Sequence, residues 1–157
     1  MGANPYVYDA TREGMHRRTF LVAGATVATA GLAGCTSGGS GGSGGSDGYG
    51  DWFSDVDNYD GEVDRTGTSQ VTVRVGAEDG LKFSPPAIVV DTGTTVRWTW
   101  TGQGGRHDVV ARDGQFKSEY HDSEGATFEH TFEATGAFPY YCEPHRSLGM
   151  KGGVRVE

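Results

Sequence analysis

The segment Tyr140-Tyr141-Cys142-Glu143-Pro144-His145-Arg146-Ser147-Leu148-Gly149-Met150 offers a thiol, an imidazole and a thioether within nine residues, spaced Cys-x2-His-x4-Met. Cys142 ends an apolar stretch, and the other two follow on what reads as a loop. A loop this short can fold its three side chains around one point. Pro144 stiffens it just before the imidazole, and Gly149 permits a tight turn just before the thioether. One more ligand is needed from elsewhere. His107 is the best candidate, because it follows Gly104-Gly105-Arg106 and leads into the apolar pair Val109-Val110. Two imidazoles, a thiolate and a weak axial methionine are the donor set of a blue-copper site. Cu(I) favours soft sulfur and low coordination, whereas Cu(II) favours nitrogen and tetragonal geometry. A rigid site that suits neither state fully lets one electron come and go with little movement. The donor set His107, Cys142, His145 and Met150 therefore points to one copper ion cycling between Cu(I) and Cu(II).

Taken singly, each residue has a plainer reading. A free Cys is usually a small buried core residue, and Met a gap-filler. A Cys/His pair can serve as nucleophile and base, yet no Asn/Asp orienter or oxyanion motif accompanies this one. Zinc accepts two His and one Cys, but structural zinc sites have Cys-rich spacing and no thioether. The joint spacing favours copper over all of these. Of the other histidines, His130 shares the parity of Phe128 and Phe132 and reads as a core residue. His121 sits in a polar stretch and reads as exposed.

The ligands must be positioned by strands. Val71, Val73 and Val75 alternate with Thr72 and Arg74; Val96, Trp98 and Trp100 alternate with Thr95, Arg97 and Thr99; Phe128, His130 and Phe132 alternate with Thr127, Glu129 and Thr131. Phe138, Tyr140 and Cys142 share a parity, as do Val154 and Val156, and Ile88-Val89-Val90 is a short apolar strand. Turn signals at Asp79-Gly80, Thr92-Gly93 and Asp113-Gly114 lie between them. Short alternating strands at this spacing predict an all-β, antiparallel β-sandwich over residues 51–157, a single domain. Residues 51–60 lack the alternation, so Trp52-Phe53 and Tyr59 are expected to pack onto the sandwich as a short helix or loop. Pro139, lacking an amide hydrogen, is expected at an edge or at a non-bonded position of its strand.

Residues 1–35 read as a targeting segment. Arg17-Arg18-Thr19-Phe20-Leu21 is a twin-arginine pattern, a small-residue apolar run follows, and Leu32-Ala33-Gly34-Cys35 is similar to a lipobox in which Cys35 is lipidated. Residues 36–50 are rich in Gly and Ser and behave as a flexible tether, letting the domain roam roughly 20 Å from its anchor. No run of 18 or more apolar residues is present, so an ordinary spanning helix is not expected. The chain's two cysteines thus have separate uses, one for lipid and one for metal, and no disulfide is expected.

Residues 71–157 resemble the cupredoxins of plastocyanin type. Gly125-Ala126-Thr127-Phe128, Gly136-Ala137-Phe138-Pro139-Tyr140-Tyr141-Cys142-Glu143-Pro144-His145, Gly149-Met150 and Val154-Arg155-Val156 follow that family's C-terminal half in order. The segments Asp51-Trp52-Phe53, Asn58-Tyr59-Asp60-Gly61, Trp98-Thr99-Trp100-Thr101-Gly102 and His107-Asp108-Val109-Val110 are similar to halocyanins, the blue-copper proteins of salt-loving archaea. The resemblance implies a Greek-key sandwich, one copper, electron transfer, and His107 as the upstream ligand. One departure stands beside that ligand: the family commonly has Asn there, and this chain has Asp108, which accepts hydrogen bonds but donates only when protonated.

The formal net charge is -8 and there is no Lys/Arg run, which disfavours nucleic acid as a partner. Nothing points to a small-molecule substrate or to an enzyme: a multicopper enzyme needs further His-rich ligand sets. Copper storage or delivery needs exchangeable, often Met-rich sites, and this chain has three Met. The expectation is a monomeric electron carrier, anchored through Cys35 to the outer face of the cell membrane and meeting redox proteins transiently. Docking is expected through the His145 edge, with Pro144 and Leu148 in an apolar patch around it.

Overall fold

A computed structural model describes residues 48–157. The Arg17-Arg18 pattern, Cys35 and residues 36–47 of the expected tether lie outside the described residues. Tyr49 and Gly50, which composition alone assigns to the tether, belong to the packed structure: Tyr49 is buried, and a one-turn 3-10 helix spans Gly50–Phe53.

Nine strands follow: β1 Val63–Asp64, β2 Gln70–Ala77, β3 Lys82–Ser84, β4 Ala87–Val90, β5 Thr94–Trp100, β6 Val110–Ala111, β7 Thr127–Phe132, β8 Gly136–Tyr141 and β9 Lys151–Val156. They form two sheets, ordered β3-β2-β5-β7 and β1-β4-β9-β8-β6. The alternation read from sequence is the alternation of burial. Val71, Val73 and Val75 on β2 and Val96, Trp98 and Trp100 on β5 point inward, while Thr72 and Arg74 between the first set are exposed. β4 is buried at all four residues, because it lies between β1 and β9 and is covered on its outer side as well. That cover is the cluster of Tyr49, Trp52, Phe53 and Val56 around Ala87, with Phe53 stacked on Tyr59 at 4.0 Å.

The sandwich forms as expected, but its sheets are mixed. β2 pairs with β5, β4 with β9 and β1 with β4 in parallel. A parallel neighbour needs a crossover, and here the chain leaves β2 through β3, adds β4 to the other sheet, and returns as β5. Pro139 sits opposite Gly153 at a non-bonded position: the Gly153 amide donates away from it, to the Pro86 carbonyl, and the Pro139 carbonyl accepts from Arg112.

The core between the sheets is aromatic. Trp98 meets Tyr140 edge-on at 5.3 Å and Phe116 at 5.5 Å, and Phe116 packs against Phe128, His130 and Phe132. His130 is half-buried among these rings, as its parity requires, and burial lowers its pKa from the usual histidine value. The folded state therefore holds it neutral more strongly than the unfolded chain does. The stability it contributes is complete above the unfolded pKa of about 6.5 and is lost as pH falls toward the lower folded value. A His130→Phe variant is expected to unfold with a shallower loss of stability between about pH 6.5 and 5. Denaturant titrations of both proteins across that range check it, and parallel curves would reject it.

Candidate metal centre

Two loops at one end of the sandwich bring the sequence candidates together. The first leaves β5 and carries His107. Its backbone is doubly bridged to His121, amide to carbonyl in both directions at 2.9 Å, and the Trp100 indole donates to the His107 carbonyl at 3.1 Å. His121, expected to be exposed, is half-buried with its ring edge-on to Trp100 at 5.0 Å. The His107 ring is fully buried, and its Nε2 lies 2.8 Å from the Gln103 carbonyl. A carbonyl only accepts, so Nε2 carries the hydrogen, the tautomer whose neutral ring offers Nδ1 as the donor atom. Gly76 makes room for this arrangement: a Cβ there would stand 2.7 Å from the Gln103 carbonyl oxygen and 3.2 Å from Nε2.

The second loop runs from Cys142 at the end of β8 to Met150 at the start of β9. Its two ends are tied together by the Cys142 amide, which donates to the Met150 carbonyl at 3.1 Å. The His145 carbonyl accepts from both Leu148 and Met150, closing a 3-10 turn over Arg146–Leu148. Gly149 ends that turn in the left-handed region at φ +77°.

The donor atoms converge. His107 Nδ1 and His145 Nδ1 are 3.1 Å apart, and Cys142 Sγ lies 3.6 Å from the first and 3.5 Å from the second. Nitrogen and sulfur ligands about 2.0–2.3 Å from one ion at near-tetrahedral angles would sit roughly 3.3–3.6 Å apart. The cluster has the dimensions of a metal cage with two imidazoles and one thiolate. Met150 is fully buried beside it, tied to Cys142 and His145 through its own backbone. A thioether next to a thiolate and two imidazoles is the donor chemistry of copper rather than of structural zinc.

Burial governs the electrostatics. The Cys142 thiol is pushed up to about 12 by burial, with the backbone amides of Asp108 and His145 working in the opposite direction. A metal ion must therefore displace the thiol proton, and its positive charge supplies the compensation that water cannot. The pKa of His145 is lowered, first by burial and then by His107, so it too is held as a neutral ligand. Asp108 is fully buried; one carboxylate oxygen accepts from the Glu143 amide at 2.7 Å, and the other has no hydrogen-bond partner. This bond staples the first loop to the second, as an Asn side chain could. Burial raises the Asp108 pKa, opposed by the Glu143 amide. Only His145 reaches the surface. It is half-buried, while Pro144 and Leu148 beside it are exposed, Leu148 by 56%.

Four supports escaped the sequence reading: Gly76, Gln103, Trp100 and the His121 bridge. Gly76 breaks the alternation at the end of β2, a signal of close backbone approach. The Gln103 contact runs through a backbone carbonyl, which no residue type announces.

Residues 69–157 match the family of copper-binding proteins of the plastocyanin/azurin type. The chain is 51% identical to a halocyanin of Natronomonas pharaonis over 104 residues, covering 63% of this chain and 64% of that protein, so it spans less than two thirds of that relative. It is 32% identical to a plastocyanin of Scenedesmus fuscus over 98 residues, 55% of this chain and 99% of the plastocyanin. Among solved structures, a mutant fern plastocyanin aligns with a TM-score of 0.49 and 26% identity, over 55% of this chain and all of that one.

Proposed function

The chain belongs to the plastocyanin/azurin family of copper-binding proteins, and from that premise we propose that it is a one-electron carrier built around a single blue-copper site. The observation that carries this reading is the meeting of the Cys142 thiol with the Nδ1 atoms of His107 and His145 in a buried pocket that touches the surface at one imidazole edge. His107 and His145 would hold the ion through Nδ1, Cys142 through Sγ and Met150 through its thioether. When bound, copper supplies the Cu(II)/Cu(I) couple. The protein's own residues do the rest. The Gln103 carbonyl holds the His107 tautomer, Asp108 locks the two loops in register, and the buried walls exclude water. A site so braced has little to rearrange when its charge changes by one.

The remaining assignments extend the same reading. Residues 51–157, with Tyr49 and Gly50 packed onto them, form the copper domain. Residues 1–35 act as a twin-arginine export signal ending in a lipidated Cys35, and 36–47 serve as the tether that holds a monomeric domain at the outer face of the membrane. Transient redox proteins are the partners; no small molecule is turned over. The burial of His107, Cys142 and Met150 speaks against copper delivery, which needs open, exchangeable ligands.

The test is spectroscopic. The copper-loaded chain should show an intense thiolate-to-copper absorption that vanishes on reduction and returns on oxidation; a colourless or zinc-only protein would refute the proposal. The exit route has its own test. If electrons leave through the His145 edge, Leu148→Lys places an ammonium in the contact on both copies during self-exchange. The self-exchange rate, measured by NMR line broadening in mixed Cu(I)/Cu(II) samples, is expected to fall about tenfold or more, on the scale of losing one interface anchor. An unchanged rate would move the exit elsewhere.

A further inference from the structure

The chain is acidic, with a net charge of -8, yet the surface flanking the Cys142–Met150 loop gathers Arg112, Arg146 and Lys151 beside Asp51, Asp55 and Glu143. Arg112 and Arg146 are exposed, and neither forms an ion pair among the described residues. Both guanidinium groups lie over the Trp52 ring, at 5.3 and 5.8 Å from its centroid, and Arg146 lies 4.5 Å from the centroid of Tyr141. The platform beneath them is rigid. Trp52 is buried, its indole donates to the Gly152 carbonyl at 3.0 Å, and its ring meets Tyr141 edge-on. The nearby carboxylates are mostly engaged: both oxygens of Asp55 grip the Lys151 ammonium, and Glu143 accepts from Lys117 and Tyr120. Two further acids stand near the pair: Asp51, exposed on the rim of the same groove, and Asp113, which follows Arg112 in the chain and accepts from Gln115.

Two planar, always-charged forks held on aromatic faces lose little freedom when they bind, and their geometry matches carboxylates. We propose that Arg112 and Arg146, stacked on Trp52 and Tyr141, form a docking surface for the carboxylates of an acidic protein partner. The inference rests on the electron-carrier reading and adds the partner's chemistry to it. Position argues for a protein rather than an anionic membrane. Arg146 directly follows His145 in the chain, so a carboxylate held there brings its own protein against the imidazole edge, whereas a membrane seated there would cover that edge. Trp52, the base of the platform, lies outside the family-matched residues 69–157, so the surface also needs a segment N-terminal to the matched sandwich.

The test compares two oxidants of the reduced, copper-loaded full chain: the hexacyanoferrate(III) anion and a cationic cobalt(III) tris-phenanthroline complex. Each transfer turns one Cu(I) into Cu(II) and reduces one iron or cobalt centre from +3 to +2. In the Arg112→Gln/Arg146→Gln double variant at low salt, the rate with the anion should fall about tenfold, the worth of two contact charges in water, while the rate with the cation holds or rises. An Arg65→Gln/Arg97→Gln control makes the same change in charge on β5 and after β1, and should slow the anion less than about twofold. A redox-silent arm titrates a hexaglutamate peptide into the Cu(I) chain and follows the Trp52 indole signal by NMR; the signal should move in the parent chain and stay fixed in the Arg112/Arg146 variant. Loss of rate with both oxidants in the parent chain would defeat the carrier reading and leave the peptide arm to decide docking. Equal slowing in both double variants, or no response to the peptide, would overturn the docking surface. Binding to anionic lipid vesicles that the variant loses, with oxidant rates unchanged, would give the patch to the membrane and overturn it too.

Discussion

Cys142→Ser is expected to abolish the thiolate-to-copper absorption and the reversible one-electron couple, and to weaken copper binding by more than about 100-fold. Outer-sphere substitutions at metal sites already cost 10–100-fold, and this one removes the softest donor of the set. A serine hydroxyl is hard, and it does not give up its proton readily at neutral pH, so it cannot replace the charge that the thiolate brings to Cu(I). The substitution is otherwise gentle. The bonds that shape the loop, from the Cys142 amide to Met150 and from the His145 amide to the Cys142 carbonyl, belong to the backbone and survive it. The metal-free variant should therefore melt within a few degrees of the metal-free parent. That pairing makes the result decisive: lost colour with an intact fold identifies Cys142 as the ligand, whereas a variant that stays blue would remove it from the site.

What the sequence revealed and what it withheld divide along a physical line. Period-two alternation reports which face of a strand is buried, and it placed Val73, Trp98, Trp100 and Tyr140 inward correctly. It carries no information about which strand lies alongside or in which direction. The parallel pairs β2–β5 and β4–β9 were invisible for that reason, since they depend on the route of the chain between sheets. The copper loop was legible because its chemistry is concentrated in nine residues of rare types. His107 was harder, 35 residues upstream of Cys142, and spacing alone left it a candidate until the fold brought its Nδ1 to 3.6 Å from the thiol. The supports around it are mostly backbone: the Gln103 carbonyl, the His121 bridge and the Asp108 staple onto the Glu143 amide. A backbone group is present at every position, so its use can be seen only once the fold is known. The cationic platform on Trp52 was hidden for a related reason. Arg112, Arg146 and Trp52 are far apart in the chain and form no cluster until β6, β8 and β9 place them together.

Gly149→Ala is expected to damage both the fold and the metal centre by the addition of one methyl group. Two independent costs fall on one methyl group. At φ +77° the position lies in the left-handed region, where a Cβ is disfavoured by about 1 kcal/mol relative to glycine. The added carbon would also stand 2.1 Å from the Asp55 carbonyl oxygen, well inside contact distance. That oxygen belongs to the backbone, so no rotamer change can withdraw it; either the segment around Asp55 moves out or the loop moves back. Such overpacking costs about 1–3 kcal/mol, giving roughly 2–4 kcal/mol in all and a fall in Tm of about 10–20 °C for a domain of this size. Both ways of relieving the clash reach the metal centre. Moving Asp55 pulls on Lys151, which it grips, and through it on the start of β9; moving the loop shifts Met150, the very next residue. The variant should thus lose copper affinity as well as stability, and the copper it keeps should absorb at a shifted wavelength. Calorimetry of the metal-free and copper-loaded forms separates the two effects. A Tm within about 3 °C of the parent would show that the Asp55 segment yields freely, and that Gly149 is not what holds the ligand loop in place.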